Sequence, residues 1–309
     1  MRNKTPPKVV AFREISEGAV REISRFDAMD VRYSASGELV VSLPADVVEG
    51  KPVRWIKGNI AAGIGMSRHR QRLFLHEALL GDDYTFACAS GPLVVQLVIL
   101  PFVTHDPVVM SELNLAATEN NEMAVEEMLQ LPLDPNQDDF DGVTPLCAAA
   151  EAGAGRTVCL LVEAMADTER VGQRQRTPLH LAAQGGRDFV VKLLLEASAS
   201  TKTRDVYGRT ALHVAACNNF SRQVALLLQH RAAVSPSDRW GQTALFLAAE
   251  ENDVITCRLL LDARANMRAK DCYGDTPLHA AVRGCCYEAA ELLVDLVEET
   301  PLKVRSAKW

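Results

Sequence analysis

Three histidines have the residue type and the spacing that could bind a metal. His180, His213 and His279 are separated by 33 and 66 residues, and imidazole is a common ligand of zinc. Residues that recur on neighbouring stacked units would lie about 10 Å apart, using the helix diameter as the spacing, which is too far to share one zinc ion. Phe246 also interrupts the series. We therefore predict that each histidine is bonded to the Thr three residues before it, and that no metal or cofactor is bound.

The eight cysteines offer a second possible chemistry. They are scattered through helical patterns and lack the paired CxxC spacing of a structural zinc site. Buried free thiols are the favoured interpretation. A redox-active pair at Cys285 and Cys286 is the alternative, but a reactive thiol needs a positive environment and Arg283 is weak support for one.

Catalytic motifs are missing from the sequence. No G-x-x-x-x-G-K-[ST], G-x-S-x-G or H-E-x-x-H segment occurs. The acidic pairs Glu250-Glu251 and Asp82-Asp83 are more typical of a solvated surface than of an acid–base site. We predict no catalytic residue and no enzymatic activity, with an unrecognised site in the first 110 residues as the alternative.

Aromatic residues at a regular spacing indicate protein binding instead. Tyr207, Trp240 and Tyr273 are 33 residues apart, each three residues before a Thr, and Arg174 and Asp141 continue the series. Aromatic side chains beside charges are typical of interface hot spots, although a tip Tyr could equally pack on the neighbouring loop. The predicted protein-binding residues are Tyr207, Trp240, Tyr273, Arg174, Arg209, Arg239, Glu250 and Glu251, with Asp253 on the same face.

A repeating unit must position these residues. Segments such as TPLHLAA and TALHVAA recur every 33 residues without an insertion, and SELNLAA is a degenerate copy that precedes them. A degenerate first unit is typical of a capping repeat. The units open at Ser111, Thr144, Thr177, Thr210, Thr243 and Thr276.

Each unit predicts two helices and a loop. The Thr is placed as an N-cap, paired alanines allow close packing of the first helix, and a leucine-rich stripe marks the second. A Gly or Asn between the helices tolerates the left-handed backbone of a helix end. The polar stretch that follows predicts a β-hairpin-like loop with an Asp and a later Gly, except that Gln175 replaces the Gly near Arg174.

This pattern resembles the ankyrin repeat over residues 108–300. The resemblance implies an all-α solenoid with β-hairpin loops that binds a protein through its hairpin tips and concave helix face. It does not imply which protein is bound, because arrays of this family bind unrelated partners.

The N-terminal third has a different pattern. Strand-like runs occur at DVRYSA, ELVVSLP, QRLFLH and LVVQLVIL, and a helical run from Pro52 to Ile64 carries Val53, Ile56 and Ile60 on one face. The order of these elements, with the segments VRWIKGNIAAGIG and GDDYTF, resembles the ubiquitin-like domains of the β-grasp fold.

The ubiquitin-like resemblance implies an apolar recognition patch at Phe74 and Val98, with Ala35 in place of the usual leucine. Internal packing of both residues is the alternative. Lys57 alone matches one of the family's chain-forming lysines, and no terminal Gly-Gly is present. A docking domain is therefore expected, not a conjugated modifier.

Charge and hydropathy limit the partners. A net charge of -7 disfavours nucleic acid and anionic lipid surfaces. The apolar run from Leu93 to Val103 is too short to cross a bilayer. We expect a monomer located in the cytoplasm, with the nucleus as an alternative.

The predicted architecture is thus α+β, a ubiquitin-like domain followed by a repeat solenoid. The predicted segments are an N-terminal extension with an amphipathic helix over 1–27, the ubiquitin-like domain over 28–103, the repeats over 108–300 and a tail over 301–309. The predicted function is a non-catalytic protein-binding scaffold. The alternative is an adaptor whose ubiquitin-like domain docks on ubiquitin-pathway components while the repeats hold a client protein.

Overall fold

A computed structural model describes residues 28–34, 36, 38–48, 50–64, 67–75, 78–85, 93–100, 107–131 and 133–306. The predicted helix within residues 1–27 and the position of Ala35 lie outside these residues. The chain divides into two compact units, one formed mainly by the residues up to Thr104 and one mainly by those from His105 onward.

The N-terminal unit contains a mixed five-stranded sheet. Its strands are β1 (Ala28–Tyr33), β2 (Leu39–Pro44), β3 (Gln71–Leu75), β4 (Ala78–Leu79) and β5 (Leu93–Ile99). The strand order is β2-β1-β5-β3-β4, with β1 and β5 parallel and the other neighbouring pairs antiparallel. Two helices follow β2, the short α1 (Ala45–Val48) and the longer α2 (Val53–Ile64), and a 3-10 turn (Arg68–Arg70) leads into β3.

The core of this unit follows from the alternation of its strands. Met29 and Val31 on β1 are fully buried, as is Leu73 on β3, because successive strand residues point to opposite faces. Val53, Ile56 and Ile60 of α2 belong to the same buried cluster, which confirms the predicted apolar face of that helix.

The second unit is a series of helix pairs. The first helix of each pair is α3 (Pro107–Thr118), α5 (Pro145–Ala152), α7 (Pro178–Gln184), α9 (Ala211–Cys217), α11 (Ala244–Glu250) or α13 (Pro277–Arg283). The second helix is α4 (Glu122–Leu129), α6 (Gly155–Glu163), α8 (Asp188–Glu196), α10 (Ser221–Gln229), α12 (Val254–Asp262) or α14 (Tyr287–Ser306). We number these pairs repeats 1 to 6. The mixed sheet and the helical repeats together make the protein α+β, as predicted.

The threonines cap the first helices as predicted. Thr144 and Thr243 accept from the backbone N–H three residues later, and Thr177, Thr210 and Thr276 form capping boxes with the histidine at that position. Repeat 1 differs because its helix begins at Pro107, so Ser111 lies inside it and its hydroxyl donates to the Pro107 carbonyl at 3.0 Å. The last helix also continues to Ser306, beyond residue 300, where the repeats were expected to end.

Left-handed residues separate the elements at the 33-residue period. The predicted breaks at Gly153, Gly186, Asn219 and Asn252 all have positive φ, between 57° and 85°. A second series, which the sequence did not reveal, ends the second helices at Met165, Ser198, Arg231 and Arg264. A non-glycine residue in this region costs on the order of 1 kcal/mol, so packing of the flanking helices must offset that cost.

Small side chains let the first helices approach one another closely. The paired alanines of repeats 2 to 5, from Ala149-Ala150 to Ala248-Ala249, are fully buried. In the leucine stripes of the second helices, Leu194 and Leu227 are fully buried, while Leu193 and Leu228 are half-buried. These contacts between repeats form the core that no single helix pair could build.

Polar side chains at one column tie repeats 1, 3 and 4 to the repeat that follows. His180 Nε2 lies 3.0 Å from the Arg209 carbonyl oxygen, and His213 Nε2 lies 3.0 Å from that of Pro236. Asn114 occupies the same column in repeat 1 and donates to the Val143 carbonyl at 2.9 Å. Burial lowers the pKa of His180 and lowers that of His213 to about 4, so both imidazoles are neutral when folded at neutral pH.

His213 should make the stability of the array depend on pH. In the unfolded chain His213 binds a proton below its pKa of 6.5, whereas in the folded chain it binds one only below about pH 4. The free energy of unfolding should therefore fall through this window, by roughly 3 kcal/mol for a fully buried group. The His213→Phe variant, which copies the buried Phe246 of repeat 5, should lose less stability on acidification. Equal pH slopes for both proteins in urea titrations would contradict this assignment.

Candidate functional site

The loops between repeats hold the predicted binding residues, and one aspartate shapes each loop. Asp205 Oδ1 accepts hydrogen bonds from the backbone N–H groups of Tyr207 and Arg209, both at 2.9 Å, and Gly208 completes the turn with φ of 76°. Asp139, Asp238 and Asp271 make the same pair of bonds in their loops. From residue 107 onward the described residues include the β-bridge between Ser237 and Thr243 but no β-strand, so the predicted hairpins are tight turns with little strand.

Backbone hydrogen bonds join successive loops and set the predicted column of tips. Val206 N–H donates to the Arg174 carbonyl at 3.0 Å, Arg239 N–H to that of Tyr207 at 2.9 Å, and Cys272 N–H to that of Trp240 at 2.7 Å. Because these bonds use no side chain, they hold Arg174, Tyr207, Trp240 and Tyr273 next to one another whatever their side chains are. We call these four residues the tip column.

The three aromatic residues of the tip column have different environments. The Tyr207 ring stacks on Trp240 at a centroid distance of 5.8 Å and an interplanar angle of 21°, and the Arg209 guanidinium lies 4.8 Å from the Tyr207 centroid. Tyr207 is half-buried, whereas Trp240 is 43% exposed and Tyr273 is 80% exposed. Tyr207 therefore packs on the neighbouring loop, which was the alternative expected for a tip tyrosine. The ring of Tyr273 is exposed to solvent.

The charged residues of the predicted set also divide into bonded and exposed groups. Arg209 pairs with Asp205 at 3.2 Å, and Asp253 caps α12 by accepting from Thr256 N–H at 3.0 Å. Arg239 and Arg174 are exposed. Glu250 and Glu251 are exposed at the end of α11.

The acidic pair faces the thiol of the preceding repeat. Burial and then the charge of Glu251, with a contribution from Glu250, raise the pKa of Cys217. Cys217 ends α9 and Glu250 ends α11, so the acidic pair lies on the side of the first helices where these helices end. We call the tip column together with this side of the first helices the recognition face.

His180 and His213 are positioned by hydrogen bonds at both ring nitrogens. Nδ1 of His180 and of His213 lies 2.8 Å from the hydroxyl of its capping Thr, and Nε2 lies 3.0 Å from a carbonyl of the following loop. Neither ring nitrogen is left to bind a metal. Within the described part of the chain no group of three or more His, Cys, Asp or Glu residues is arranged to bind one.

Burial disfavours the reactive thiolate form at three of the described cysteines. Burial raises the pKa of Cys147 and Cys286, and raises that of Cys257 to about 12. Cys286 is buried beside the exposed Cys285, and its Sγ lies 3.1 Å from the Glu250 carbonyl. A thiol whose pKa is raised is protonated at neutral pH and is a poor nucleophile.

The loop of repeat 3 departs from the others, as the Gln175 substitution suggested. Arg174 and Gln175 both have positive φ, 58° and 54°, and the Arg176 N–H donates to the Gln173 carbonyl at 3.2 Å. Two successive left-handed residues are the geometry of a type I′ turn. The column that holds Asp205 holds Gly172 here, so the carboxylate of the other loops is missing.

A cleft of about 280 Å³ opens beside this loop, between repeats 2 and 3. Among its lining residues are Cys147, Glu151, Gly172, Arg174 and Arg176. Of these only Arg174 was predicted as a binding residue. Aligning the units at 33 residues would have revealed the others, because Cys147 stands in the histidine column and Gly172 in the aspartate column.

The predicted patch of the N-terminal unit lies on two paired strands. Arg72 of β3 is opposite Val98 of β5, and Phe74 is opposite Gln96, so Phe74 and Val98 are diagonal neighbours on one face. Both are half-buried. Lys57 is buried and forms an ion pair with Asp82, and burial is the main cause of its lowered pKa.

The chain matches a known protein family over the region of the repeats. A family model described as ankyrin repeats matches it three times, over residues 113–205, 155–238 and 224–302. These matches overlap to cover residues 113–302, which is more than half of the chain. None of the curated proteins compared with the chain matches it. In the described part of the chain, no helix is both long enough and apolar enough to span a membrane.

The unequal packing of the tip column predicts unequal effects on stability. Tyr207→Ala removes a stacked ring and a cation–π contact and should lower the free energy of unfolding by about 1 to 2 kcal/mol. Tyr273→Ala removes an exposed ring and should change it by less than about 0.5 kcal/mol. Chemical denaturation of the two variants tests this, and an equal loss in both would mean that the stack with Trp240 contributes nothing.

Proposed function

Because the chain belongs to the ankyrin-repeat family, we propose that it is a non-catalytic scaffold whose recognition face binds a partner protein. The exposure of Trp240 and Tyr273 at the tips is the observation that carries this proposal. Trp240 is 43% and Tyr273 is 80% exposed, although burial of a large aromatic ring is favourable by a few kcal/mol. Trp and Tyr are also the residue types enriched at energetic centres of interfaces.

The rigidity of the tips supports the same function. The tips at Tyr207, Trp240 and Tyr273 are each fixed by an aspartate that accepts two backbone N–H groups. Hydrogen bonds between neighbouring loops, such as the one from Cys272 to Trp240, join these tips. A side chain on a fixed backbone loses less entropy on binding than one on a loose loop. The tip column therefore offers a partner a surface that needs little reorganisation.

The chemistry of the titratable groups supports a binding role over catalysis. The buried histidines have lowered pKa values because of burial, and their ring nitrogens are bonded within the array. The thiol of Cys257 has its pKa raised to about 12 by burial. General acids, bases and nucleophiles need the opposite, a pKa near the working pH and an accessible atom.

Two tyrosines of repeat 6 provide a matched test. Tyr273 lies in the tip column and Tyr287 begins α14, and they are 80% and 77% exposed. Trp240→Ala combined with Tyr273→Ala should abolish co-purification of the partner with the full chain, measured by quantitative mass spectrometry and then by calorimetry with the recovered protein. Tyr287→Ala should retain it. Retention by the double variant, with circular dichroism showing that it is folded, would reject the proposal.

A second function is favoured by the architecture of the N-terminal unit. Its strand order β2-β1-β5-β3-β4, with a parallel central pair and α2 packed on the sheet, supports the resemblance to ubiquitin-like domains. In this alternative the domain docks on ubiquitin-pathway components through Phe74 and Val98 while the repeats hold a client.

Phe74→Asp separates this adaptor from a simple scaffold. An aspartate on the half-buried patch should remove ubiquitin-pathway proteins from the co-purified set, because burying a charge in an apolar contact without a counter-ion is costly. The partner bound at the recognition face should still be recovered. Phe74→Ala, which adds no charge, serves as the variant that keeps the fold, as judged by circular dichroism. Recovery of no ubiquitin-pathway protein with the wild-type chain, or equal recovery with Phe74→Asp, would eliminate the adaptor.

A further inference from the structure

The cleft between repeats 2 and 3 differs from the other junctions in its charge. In repeat 4, Asp205 lies four residues before Arg209 and pairs with it at 3.2 and 3.3 Å. In repeat 3 the equivalent pair is Gly172 and Arg176, so this arginine has no carboxylate in its own loop. The loop thus lacks a negative charge that the loops at Asp139, Asp205, Asp238 and Asp271 possess.

Arg176 has only a distant substitute for that carboxylate. Its Nε lies 3.7 Å from Asp205, which is too long for a hydrogen bond, and Asp205 is already bonded to Arg209. Arg176 is buried and its Nη1 donates to the neutral amide of Gln184, but its Nε donates no hydrogen bond within the described part of the chain. One carboxylate therefore serves two guanidinium groups at this junction.

Arg174 adds a second positive charge to the same cleft. Its side chain is exposed and pairs with no carboxylate among the described residues. The left-handed backbone at Arg174 and Gln175 costs on the order of 1 kcal/mol per residue, and glycine, which would avoid this cost, occupies the equivalent of Gln175 in the other turns.

Space for a ligand comes from two small residues. Cys147 replaces the large ring that fills this column at His180, His213 and Phe246. A Cβ on Gly172 would lie 3.4 Å from the Cys147 Sγ, an ordinary van der Waals contact, so a side chain at residue 172 would lie beside Cys147 at the wall of the cleft. The resulting volume of about 280 Å³ is enough for one acidic side chain.

We propose that this cleft is a subsite for a carboxylate, supplied by an Asp or Glu side chain of the protein bound at the recognition face and held by Arg174 and Arg176. The partner's carboxylate supplies the charge that residue 172 lacks. The subsite rests on the proposed binding function, because Arg174 belongs to the tip column. Guanidinium groups suit this role since they bind carboxylates through paired hydrogen bonds.

Glu151 provides a variant that should change the affinity for an acidic ligand in the opposite direction to the arginine variants. It lines the cleft, is exposed, and its charge is one of the influences that raise the pKa of Cys147, after burial. A carboxylate in the cleft is repelled by Glu151 and attracted by the arginines. Glu151→Gln should therefore tighten binding of an acidic ligand, while Arg174→Gln should weaken it.

The probe is a display library of random peptides selected on the full chain. Peptides of about twelve residues span at least about three repeats when extended. Selected peptides should carry Asp or Glu at one fixed position, and Arg174→Gln should weaken the best of them by about tenfold, the loss expected for a hydrogen bond between charged groups. Replacing that acid by its amide should cost the wild-type chain at least a similar factor, and should cost the Arg174→Gln chain less because Arg176 alone then holds the acid.

Gly172→Asp and Gly172→Asn form the matched pair of variants. Gly172 has negative φ, and a Cβ at this position would make only ordinary van der Waals contacts, so both variants should fold. Gly172→Asp restores the internal carboxylate and should weaken the acidic peptide by about tenfold, whereas Gly172→Asn has the same size and should weaken it far less. Thermal melts of both variants check that the fold is kept.

Failure of this subsite is distinguishable from failure of the binding function. Peptides that bind, lose affinity in the Trp240→Ala chain and show neither an acidic position nor any response to Arg174→Gln would overturn the subsite alone. Equal weakening by Gly172→Asp and Gly172→Asn would also overturn it, because size and not charge would then matter. Selection of no peptide at all would overturn both proposals.

Discussion

The repeat array depends on one constraint, which is that a pair of short helices cannot bury its own apolar surface. Each first helix has seven to twelve residues, and isolated helices of this length are marginal in water. They must therefore be covered by the neighbouring repeat, and the fully buried alanine pairs such as Ala182-Ala183 permit the close approach that this requires. The 33-residue register follows, because an inserted residue would rotate an apolar face out of its contact.

The stacking constraint also explains why a function can be placed on the loops. Stacking brings successive loops together, and backbone bonds such as Arg239 N–H to the Tyr207 carbonyl tie them without using side chains. Residues at the tips are consequently free to be Arg, Tyr or Trp with little effect on the fold. The buried columns have no such freedom, because His180 and His213 satisfy both a cap and a carbonyl of the next repeat. The residues used for recognition and the residues used for stability thus stand at different positions within the 33-residue unit.

Features that depend on local chemistry could be predicted from the sequence. The Thr caps, the left-handed Gly153 and Asn219, and the apolar face of α2 all follow from residue type and spacing. Features that depend on a neighbouring repeat could not. Tyr207 and Tyr273 have the same position in their units, yet one stacks on Trp240 and the other is exposed, since only the first has an aromatic ring 33 residues further on. Ser111 is inside a helix because α3 begins earlier than the caps of the later repeats indicate.

Departures from the repeat pattern carry different physical consequences, and comparing them separates structure from function. Phe246 replaces a histidine and loses its polar tie, but the ring is buried and packing compensates for the lost bond. At the junction of repeats 2 and 3, by contrast, three changes are not fully compensated. Cys147 removes a large ring, Gly172 removes a carboxylate and Gln175 removes a glycine. The weak thiol contact to the Arg170 carbonyl, at 3.8 Å, replaces an imidazole bond, and Arg176 lacks its carboxylate. Three uncompensated losses at one junction leave space, positive charge and an unsatisfied donor together. In the free protein this site therefore lacks a filling group, a negative charge and a hydrogen-bond acceptor, and a bound carboxylate supplies all three.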